Sequence, residues 1–315
     1  MTATTTDTAI HTEGLTKIYG ELRALDGMTL HVPRGSVYGF LGRNGAGKTT
    51  TIRLLLGLAR PTAGSAYVLG REIGTQQLEI LERTAFVPER KVLYDHLTPH
   101  ELVHFTSGFY PRWSHEAVEK YARILDIPMK QKFGKLSHGN RTKVCILLAL
   151  GQNADLLILD EPTIGLDPVI TDNVLRLLLE EQASQGRTVF FSSHQLAEVE
   201  QIADWIGILD QGKLLFEARL EDIRSEYRVV VAGGNGLPAA TSAQVLSVSR
   251  SGAFTRYVVS SGAEAFAAGL RQHGAASVEV FPLNLREFFL EIVRKEELCT
   301  TGESGEKSEY ASSGS

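Results

Sequence analysis

Unbroken apolar runs alternate with segments of helical periodicity along the first two thirds of the chain. Four runs are continuous rather than alternating, as in strands that are covered on both faces: "GSVYGFLG", "TAFVP", "DLLILD" and "TVFFSS". The segment "WIGILDQGKLLFEA" predicts a hairpin that turns at Gln211-Gly212. This order of elements predicts an α/β domain with a mixed sheet over residues 1–222.

A helical insertion interrupts the strand pattern. The segments "HELVHFTSGFY", "SHEAVEKYARIL" and "RTKVCILLALG" have helical periodicity. Ser114 and Ser137 stand where N-cap residues are expected. We therefore predict a helical subdomain at about residues 93–153.

The pattern changes after residue 222. Residues 223–298 contain four strand-like segments, with a helix-like segment after the third and a helical segment at the end. This order predicts a small α+β domain, similar to a ferredoxin-like unit. The Ser/Gly/Glu-rich residues 299–315 predict a disordered tail.

Composition narrows the class of protein. The 315 residues carry a net charge of −5, with 43% hydrophobic and 22% charged residues, as in ordinary globular proteins. The acidic balance argues against a nucleic-acid partner. No apolar run approaches the roughly 18 residues of a membrane span, so a membrane role is expected to need a second, spanning subunit.

A glycine-rich loop predicts a phosphate site. The segment "GRNGAGKTT" follows an apolar strand and precedes the helix-like "TTTIRLLLGLA", the context that a P-loop requires. Its amides and the helix N-terminus attract phosphate, Lys48 adds a charge, and the Thr49 hydroxyl can ligate Mg²⁺. The predicted nucleotide contacts are Gly42, Arg43, Asn44, Gly45, Ala46, Gly47, Lys48, Thr49 and Thr50.

An acidic pair ends a second apolar strand in "LLILDEPTIGLDP". Asp160 is predicted to hold Mg²⁺ and Glu161 to act as the base for an attacking water. Because successive strand residues point to opposite sides, adjacent carboxylates can divide these two roles. Without a convincing N-K-x-D motif, ATP is favoured over GTP.

Six ordered motifs make the resemblance to a family specific. "KIYG", "GRNGAGKTT", "FVPER", "LSHGN", "LLILDEPTIGLDP" and "FSSH" resemble the A-loop, Walker A, Q-loop, signature, Walker B with D-loop, and His switch of ATP-binding-cassette (ABC) transporter subunits. The match covers about residues 13–222. It implies a P-loop NTPase cassette with a helical subdomain, and ATP and Mg²⁺ as cofactors.

The resemblance also implies residue roles. Tyr19 would stack on adenine, Asp167 would lie at a dimer interface, and His194 would contact the γ-phosphate or the attacking water. Glu89 departs from the usual Gln of the Q-loop, which contacts Mg²⁺ or its water. A carboxylate can still accept a hydrogen bond from metal-bound water, but it cannot donate one.

The signature "LSHGN" is a variant. Ser137, Gly139 and Asn140 retain a hydroxyl, a glycine and an amide for the γ-phosphate of a partner subunit. His138 replaces a Gly of the family pattern. Two readings stay open for it: a packing or surface residue, or a titratable donor beside the phosphate.

In this family the signature of one subunit closes over the ATP held by another. One set of motifs therefore implies a second ABC ATPase subunit, identical or related, together with a separate multi-span membrane subunit. The insertion after Glu89, near "KVLYDHLTPHELV", is the expected docking region. "LNLREFFLEIV" resembles the closing motif of exporter-type (ABC-2 type) subunits.

The expected function is thus an ATPase that powers an exporter from the cytoplasmic face of the plasma membrane. Two alternatives are a soluble family ATPase that acts in translation or DNA maintenance, and a nucleotide-gated regulatory protein. The single cassette and the absence of long heptad repeats disfavour the first. Glu161 and His194 disfavour the second, whereas Glu89 and the altered signature keep it open.

Overall fold

The four continuous apolar runs form neighbouring strands in a computed structural model, which describes residues 7–234, 237 and 244–301. The chain divides into two units between Leu220 and Glu221. The expected boundary, residue 222, lies within a short helix, Leu220–Glu226, that spans this point.

The first unit contains, in chain order, β1 (Thr8–Tyr19), β2 (Leu22–Pro33), β3 (Val37–Gly42), α1 (Lys48–Leu55), β4 (Ala63–Val68), β5 (Arg71–Glu72), α2 (Gln77–Glu82), β6 (Thr84–Val87), α3 (Pro99–Ser107), α4 (His115–Ile124), a 3₁₀ turn (Phe133–Lys135), α5 (His138–Gly151), β7 (Leu156–Asp160), α6 (Pro168–Gln185), β8 (Thr188–Ser193), α7 (Leu196–Ile202), β9 (Trp205–Asp210), β10 (Lys213–Arg219) and the start of α8 (Leu220–Glu226).

The main sheet is mixed, as predicted. Its strand order is β10-β9-β3-β8-β7-β6, and only the β9–β10 hairpin is antiparallel. β3, β7 and β8 are buried along their whole length, which explains their continuous apolar sequences. The carboxyl ends of these three strands lie side by side, where ligands of α/β folds bind.

The sequence patterns did not identify a second sheet, β2-β1-β4-β5, which is antiparallel. Several register shifts between β1 and β2 disrupt the alternation of apolar and polar residues that would mark these strands. One core cluster joins this sheet to the main sheet around α1. It includes Leu30 and Val68 from the second sheet, Ile52 from α1, and Ile158 and Phe190 from the main sheet.

The predicted helices of the insertion are α3, α4 and α5. Ser114 Oγ accepts a hydrogen bond from the Ala117 amide at 3.1 Å, and Ser137 Oγ accepts one from the Asn140 amide at 3.3 Å. Both predicted N-caps are therefore confirmed. Because Ser137 is the cap, α5 begins at His138.

The second unit contains β11 (Arg228–Gly233), β12 (Val245–Ser251), β13 (Phe254–Val259), α9 (Ala263–Gln272), β14 (Ser277–Pro282) and α10 (Leu285–Thr301). Its sheet has the order β12-β13-β11-β14 and is antiparallel throughout. The first and last strands are adjacent, as in a ferredoxin-like sheet. α9 packs on it through Ala267 and Leu270.

α10 continues to Thr301, so the disordered tail expected from residue 299 does not begin there. The segment "EELCTT" contains Glu and Leu, which favour continuation of a helix. The rest of that tail, residues 302–315, lies outside the described residues. Within the described ranges, no helix is both long and apolar enough to cross a membrane.

Candidate functional site

The glycine-rich loop joins β3 to α1 and places the N-terminus of α1 at the rim of a cavity. Gly47 has a φ of 116°, which favours glycine. A Cβ at this position would also lie 2.7 Å from the carbonyl oxygen of Ala24 and 2.8 Å from Cδ2 of Leu25. Glycine is therefore required here both for the backbone angle and for the close packing.

Lys48, the first residue of α1, is buried. Its Nζ donates to the Gly42 carbonyl at 2.7 Å and lies 3.3 Å from Oε1 of Glu161. The side chain thus curls back over the loop, and its charge faces both the loop and the catalytic candidate Glu161.

Asp160 lies at the end of β7, and both of its carboxylate oxygens accept hydrogen bonds. Thr49 Oγ1 donates to Oδ2 at 2.9 Å, and Ser192 Oγ donates to Oδ1 at 2.6 Å. Asp160 and Ser192 are register partners on the parallel strands β7 and β8. The sheet register therefore sets the orientation of this carboxylate.

Glu161 follows β7 and has a left-handed backbone, with a φ of 47°. Its separation from Asp160 therefore does not come from strand alternation, which was the expected reason. The Glu161 amide donates to Ser192 Oγ at 3.0 Å, and Oε2 lies 2.8 Å from Nδ1 of His194. Such strain in a non-glycine residue is often found at functional sites.

A cavity of about 800 Å³ opens beside these groups. Among the predicted site residues, its lining includes Tyr19, Arg43, Asn44, Gly45, Gly47, Lys48, Thr49, Thr50, Glu89, Glu161 and His194. Leu22, Arg23, Ala24, Ile164, Gln211 and Gly212 complete the lining and were not predicted. The volume is within the range of small-ligand sites.

Tyr19 ends β1 at the mouth of this cavity and is 43% exposed. Lys17 Nζ lies 4.7 Å from the centre of the Tyr19 ring, a cation–π arrangement that covers one face of the ring. Aromatic rings of this kind can stack on a base.

The oxygen ligands that Mg²⁺ prefers are present at the cavity, because Thr49 and Asp160 lie in direct contact and Glu89 is on the cavity wall. Within the described part of the chain, no group of three or more His, Cys, Asp or Glu side chains could hold a metal ion. The residues fit Mg²⁺, which usually takes one or two carboxylates and completes its shell with phosphates and waters.

Sequence reasoning missed two buried charged residues beside the site. Lys91, 6% exposed, donates to the Pro88 carbonyl at 2.5 Å. Burial lowers the pKa of Lys91, while nearby acidic groups, Asp160 and Glu89 among them, oppose that shift. A lysine two residues after the Q-loop glutamate carries no signal of burial in the sequence.

The second missed residue, Glu198 of α7, connects the segment after Glu161 with the end of β8. Its Oε2 accepts from Thr163 Oγ1 at 2.5 Å and from Ser193 Oγ at 3.4 Å. Burial raises the pKa of Glu198. Ser192 was also missed, although a hydroxyl at the buried end of a strand beside "DE" is the kind of signal that could have identified it.

The signature residues are not among those that line the cavity. Ser137 caps α5, and Gly139 and Asn140 lie in its first turn. Asp167 caps α6, where its Oδ1 accepts from the amides of Val169 and Ile170 at 3.1 Å each. One chain thus brings the Walker residues and His194 together at the cavity, whereas the signature residues and Asp167 lie outside the cavity lining.

Comparison with known proteins gives matches over the same region. The ABC transporter family model matches residues 25–164, and an AAA domain model matches residues 130–200. The bacitracin transport ATP-binding protein of Bacillus licheniformis is 39% identical over 223 residues, which are 70% of this chain and 73% of that protein. The linearmycin resistance ATP-binding protein of Bacillus subtilis is 34% identical over 211 residues, 65% of this chain and 68% of that protein.

Solved structures agree in fold. The ATP-binding subunit of an ABC transporter superposes with a TM-score of 0.63 and 30% identity, over 69% of this chain and 92% of that chain. A dimeric ATP-binding cassette in a post-hydrolysis state with ADP and Pi gives a TM-score of 0.61 at 24% identity, over 67% of this chain and 98% of that one.

Proposed function

The chain belongs to the ABC transporter family and is an ATP-binding ATPase of that family; from this premise we propose that it powers an exporter as a separate motor subunit. One observation carries the proposal. Lys48, Glu161 and His194 form a connected line at the wall of a nucleotide-sized cavity, beside the Thr49–Asp160 pair. This arrangement supports ATP hydrolysis, which depends on positioning and charge stabilisation.

The loop amides of residues 43–50 would hold the phosphates and Tyr19 would cover the adenine. Thr49, Asp160 and Glu89 would hold Mg²⁺, which neutralises phosphate charge when it is bound. Glu161 would take the proton of the attacking water, oriented by its contact with His194.

The Lys48–Glu161 ion pair determines when Glu161 is available to act as the base. Phosphate oxygens entering the loop compete with Oε1 of Glu161 for the Lys48 ammonium. As the lysine turns to phosphate, the carboxylate becomes available to water. The base would therefore be fully active only when nucleotide is in place.

The signature residues supply the argument for a dimer. Ser137, Gly139, Asn140 and Asp167 would act on nucleotide held by a second ABC ATPase subunit, identical or related, in a head-to-tail pair. Their position outside the cavity of their own chain supports this arrangement. ATP would hold the two subunits together, and hydrolysis would release them.

An exposed aromatic cluster in the helical insertion supports docking of the membrane subunit there. The Tyr94 and Phe105 rings lie 5.6 Å apart, the Phe105 and Phe109 rings 5.2 Å apart, and Phe109 is 66% exposed. Clustered exposed aromatic residues are typical of interaction sites. The cluster follows Glu89 in sequence, so docking there would be coupled to the metal end of the ATP site.

The relatives' names support the direction and the type of cargo. They are named for bacitracin transport and for linearmycin resistance, so we propose export of a growth-inhibiting compound. The motor would act at the cytoplasmic face of the plasma membrane, where ATP is available. These names favour the transport function over the soluble alternatives.

The nucleotide part of the proposal is tested with Glu161→Gln. The amide keeps the size of the side chain but cannot take a proton, so ATP should persist and hold a dimer together. Light scattering should show a dimer with ATP and Mg²⁺ and a monomer with ADP. Glu161→Gln combined with Lys48→Ala is the control and should stay monomeric. Unreduced ATP turnover in the single variant would contradict the role of Glu161.

Docking is tested by copurifying the chain with its multi-span subunit in detergent. Phe109→Ser should abolish copurification and leave the ATPase activity of the isolated chain unchanged. Leu78→Ser is the matched control, because Leu78 is 72% exposed and lies in α2 outside the aromatic cluster. Equal retention of the membrane subunit by both variants would exclude this docking site.

A further inference from the structure

The variant residue of the signature contacts the D-loop segment of its own chain. A Cβ built on Gly165 would lie 3.2 Å from Nδ1 and 3.3 Å from Cε1 of His138. The His138 ring therefore lies directly against the backbone at Gly165. This contact joins the start of α5 to the segment that precedes α6.

The next residue of the signature extends the same contact. A Cβ built on Gly139 would lie 3.5 Å from Cδ2 of Leu166 and 3.6 Å from Cδ1 of Ile170. These are ordinary van der Waals distances, whereas those at Gly165 are tighter. The two segments thus pack together along the first turns of both helices.

Gly165 itself provides little rigidity. Its φ is 72°, in the left-handed region, and glycine has no side chain to restrict it. The imidazole ring occupies the space beside this backbone. A glycine at position 138, as in the usual family pattern, could not make this contact.

We propose that His138 is a positioning residue that fixes the D-loop against the signature, so that Ser137 and Asp167 reach the partner's ATP as one rigid surface. This inference rests on the head-to-tail arrangement proposed above. Both elements belong to the half-site that the chain presents to its partner. Restricting the segment between them raises the fraction of chains that are competent to close on ATP.

The role of His138 is steric and needs no proton. The alternative, a titratable donor to the partner's phosphate, requires the imidazole and should alter the pH profile of hydrolysis. A planar side chain that does not titrate distinguishes the two. His138→Gln supplies an amide plane of similar reach, and His138→Gly removes the contact.

The kinetic test measures turnover of the full chain and binding of a fluorescent ATP analogue to the monomer. His138→Gly should lower kcat about fivefold, as expected for lost coupling between contacting residues. Analogue binding should change by less than about twofold, since the Walker residues are untouched. His138→Gln should recover most of kcat, with a wild-type pH profile between about pH 6 and 8. If His138→Gln has the low kcat of His138→Gly and a shifted pH profile of hydrolysis, the proposal is overturned and His138 acts as a donor to the phosphate.

A double-mutant cycle tests the contact itself. Gly165→Ala introduces a Cβ that strains the backbone in any background and also presses on the ring when His138 is present. We expect kcat to fall about tenfold in the wild type and about threefold in His138→Gly, a non-additive result. Equal fold losses in the two backgrounds would overturn the proposal. Failure of the head-to-tail arrangement would appear separately, as a Glu161→Gln protein that stays monomeric with ATP.

Discussion

Replacing Ser192 by Ala tests how the sheet holds Asp160 and Glu161, the proposed metal ligand and the proposed base. Ser192 is wholly buried, and its hydroxyl donates to Oδ1 of Asp160 at 2.6 Å while it accepts from the Glu161 amide at 3.0 Å. The substitution removes one small polar atom and leaves both partners in place. It therefore perturbs the orientation of the acidic pair with little change in volume.

The expected loss of stability follows from these two bonds. A hydrogen bond to a charged acceptor contributes about 1.5–3 kcal/mol, and a buried amide left without a partner costs about 1–3 kcal/mol. We therefore expect Ser192→Ala to lower the free energy of unfolding by about 2.5–6 kcal/mol. For a unit of this size the Tm should fall by about 5–24 °C.

Turnover should be affected more than nucleotide binding. The Glu161 amide loses the hydrogen bond that supports its left-handed backbone, so the carboxylate proposed as the base is less well placed for water. We expect kcat to fall at least about tenfold, equivalent to about 1.4 kcal/mol, with a smaller change in ATP affinity.

Ser193→Ala is the matched control for turnover. It removes a hydroxyl of the same size from the next position of the same strand, where Ser193 Oγ accepts from the Gln195 amide at 3.0 Å and donates to Oε2 of Glu198 at 3.4 Å. This control also removes buried hydrogen bonds, but none of them holds Asp160 or Glu161. Equal losses of kcat in steady-state ATPase assays of the two variants, or an unchanged kcat in Ser192→Ala, would refute the reasoning.

Three other predictions concern the proposed adenine contact, a salt bridge and a thiol. Tyr19→Ala should weaken binding of an ATP analogue by about 10–100-fold and Tyr19→Phe should not, as fluorescence titration would measure. Burial raises the pKa of Asp155, but hydrogen bonds from Arg83 and Arg112 outweigh burial and hold this pKa below its ordinary value. Asp155→Asn should thus destabilise the protein most near neutral pH, and the difference in chemical unfolding should shrink below about pH 4. Burial raises the pKa of Cys145 to about 11, so with the other cysteine replaced by Ser the native protein should resist iodoacetamide at about pH 8.

The elements that the sequence predicted correctly have local causes. β3, β7 and β8 are buried on both faces, so their apolar runs are continuous. Ser114 and Ser137 cap helices by accepting hydrogen bonds from the backbone amides three residues later. Both partners of each bond therefore lie within a short window of sequence. The P-loop likewise depends on adjacent residues, including a glycine at the left-handed position 47.

What the sequence could not predict depends on contacts between distant segments. β1 and β2 lose their alternating pattern at register shifts that only their pairing defines. Ser192 acts because the β7–β8 register places it opposite Asp160. The Glu161 side chain was expected to point away from Asp160 because of strand alternation. Instead, Glu161 lies beyond the end of the strand with a φ of 47°, and its backbone N–H donates a hydrogen bond to Ser192 Oγ.

Mixing two variants tests the proposed shared ATP site most directly. Lys48→Ala removes the phosphate-binding half of that site, and Gly139→Asp disrupts the signature half by building a carboxylate against Leu166 and Ile170. In a head-to-tail heterodimer one site carries both defects and the other carries neither. An equal mixture should therefore recover about a quarter of wild-type ATPase activity per chain, since half of the dimers have one intact site. Activity that stays at the level of the separate variants would contradict a site built from two copies of this chain.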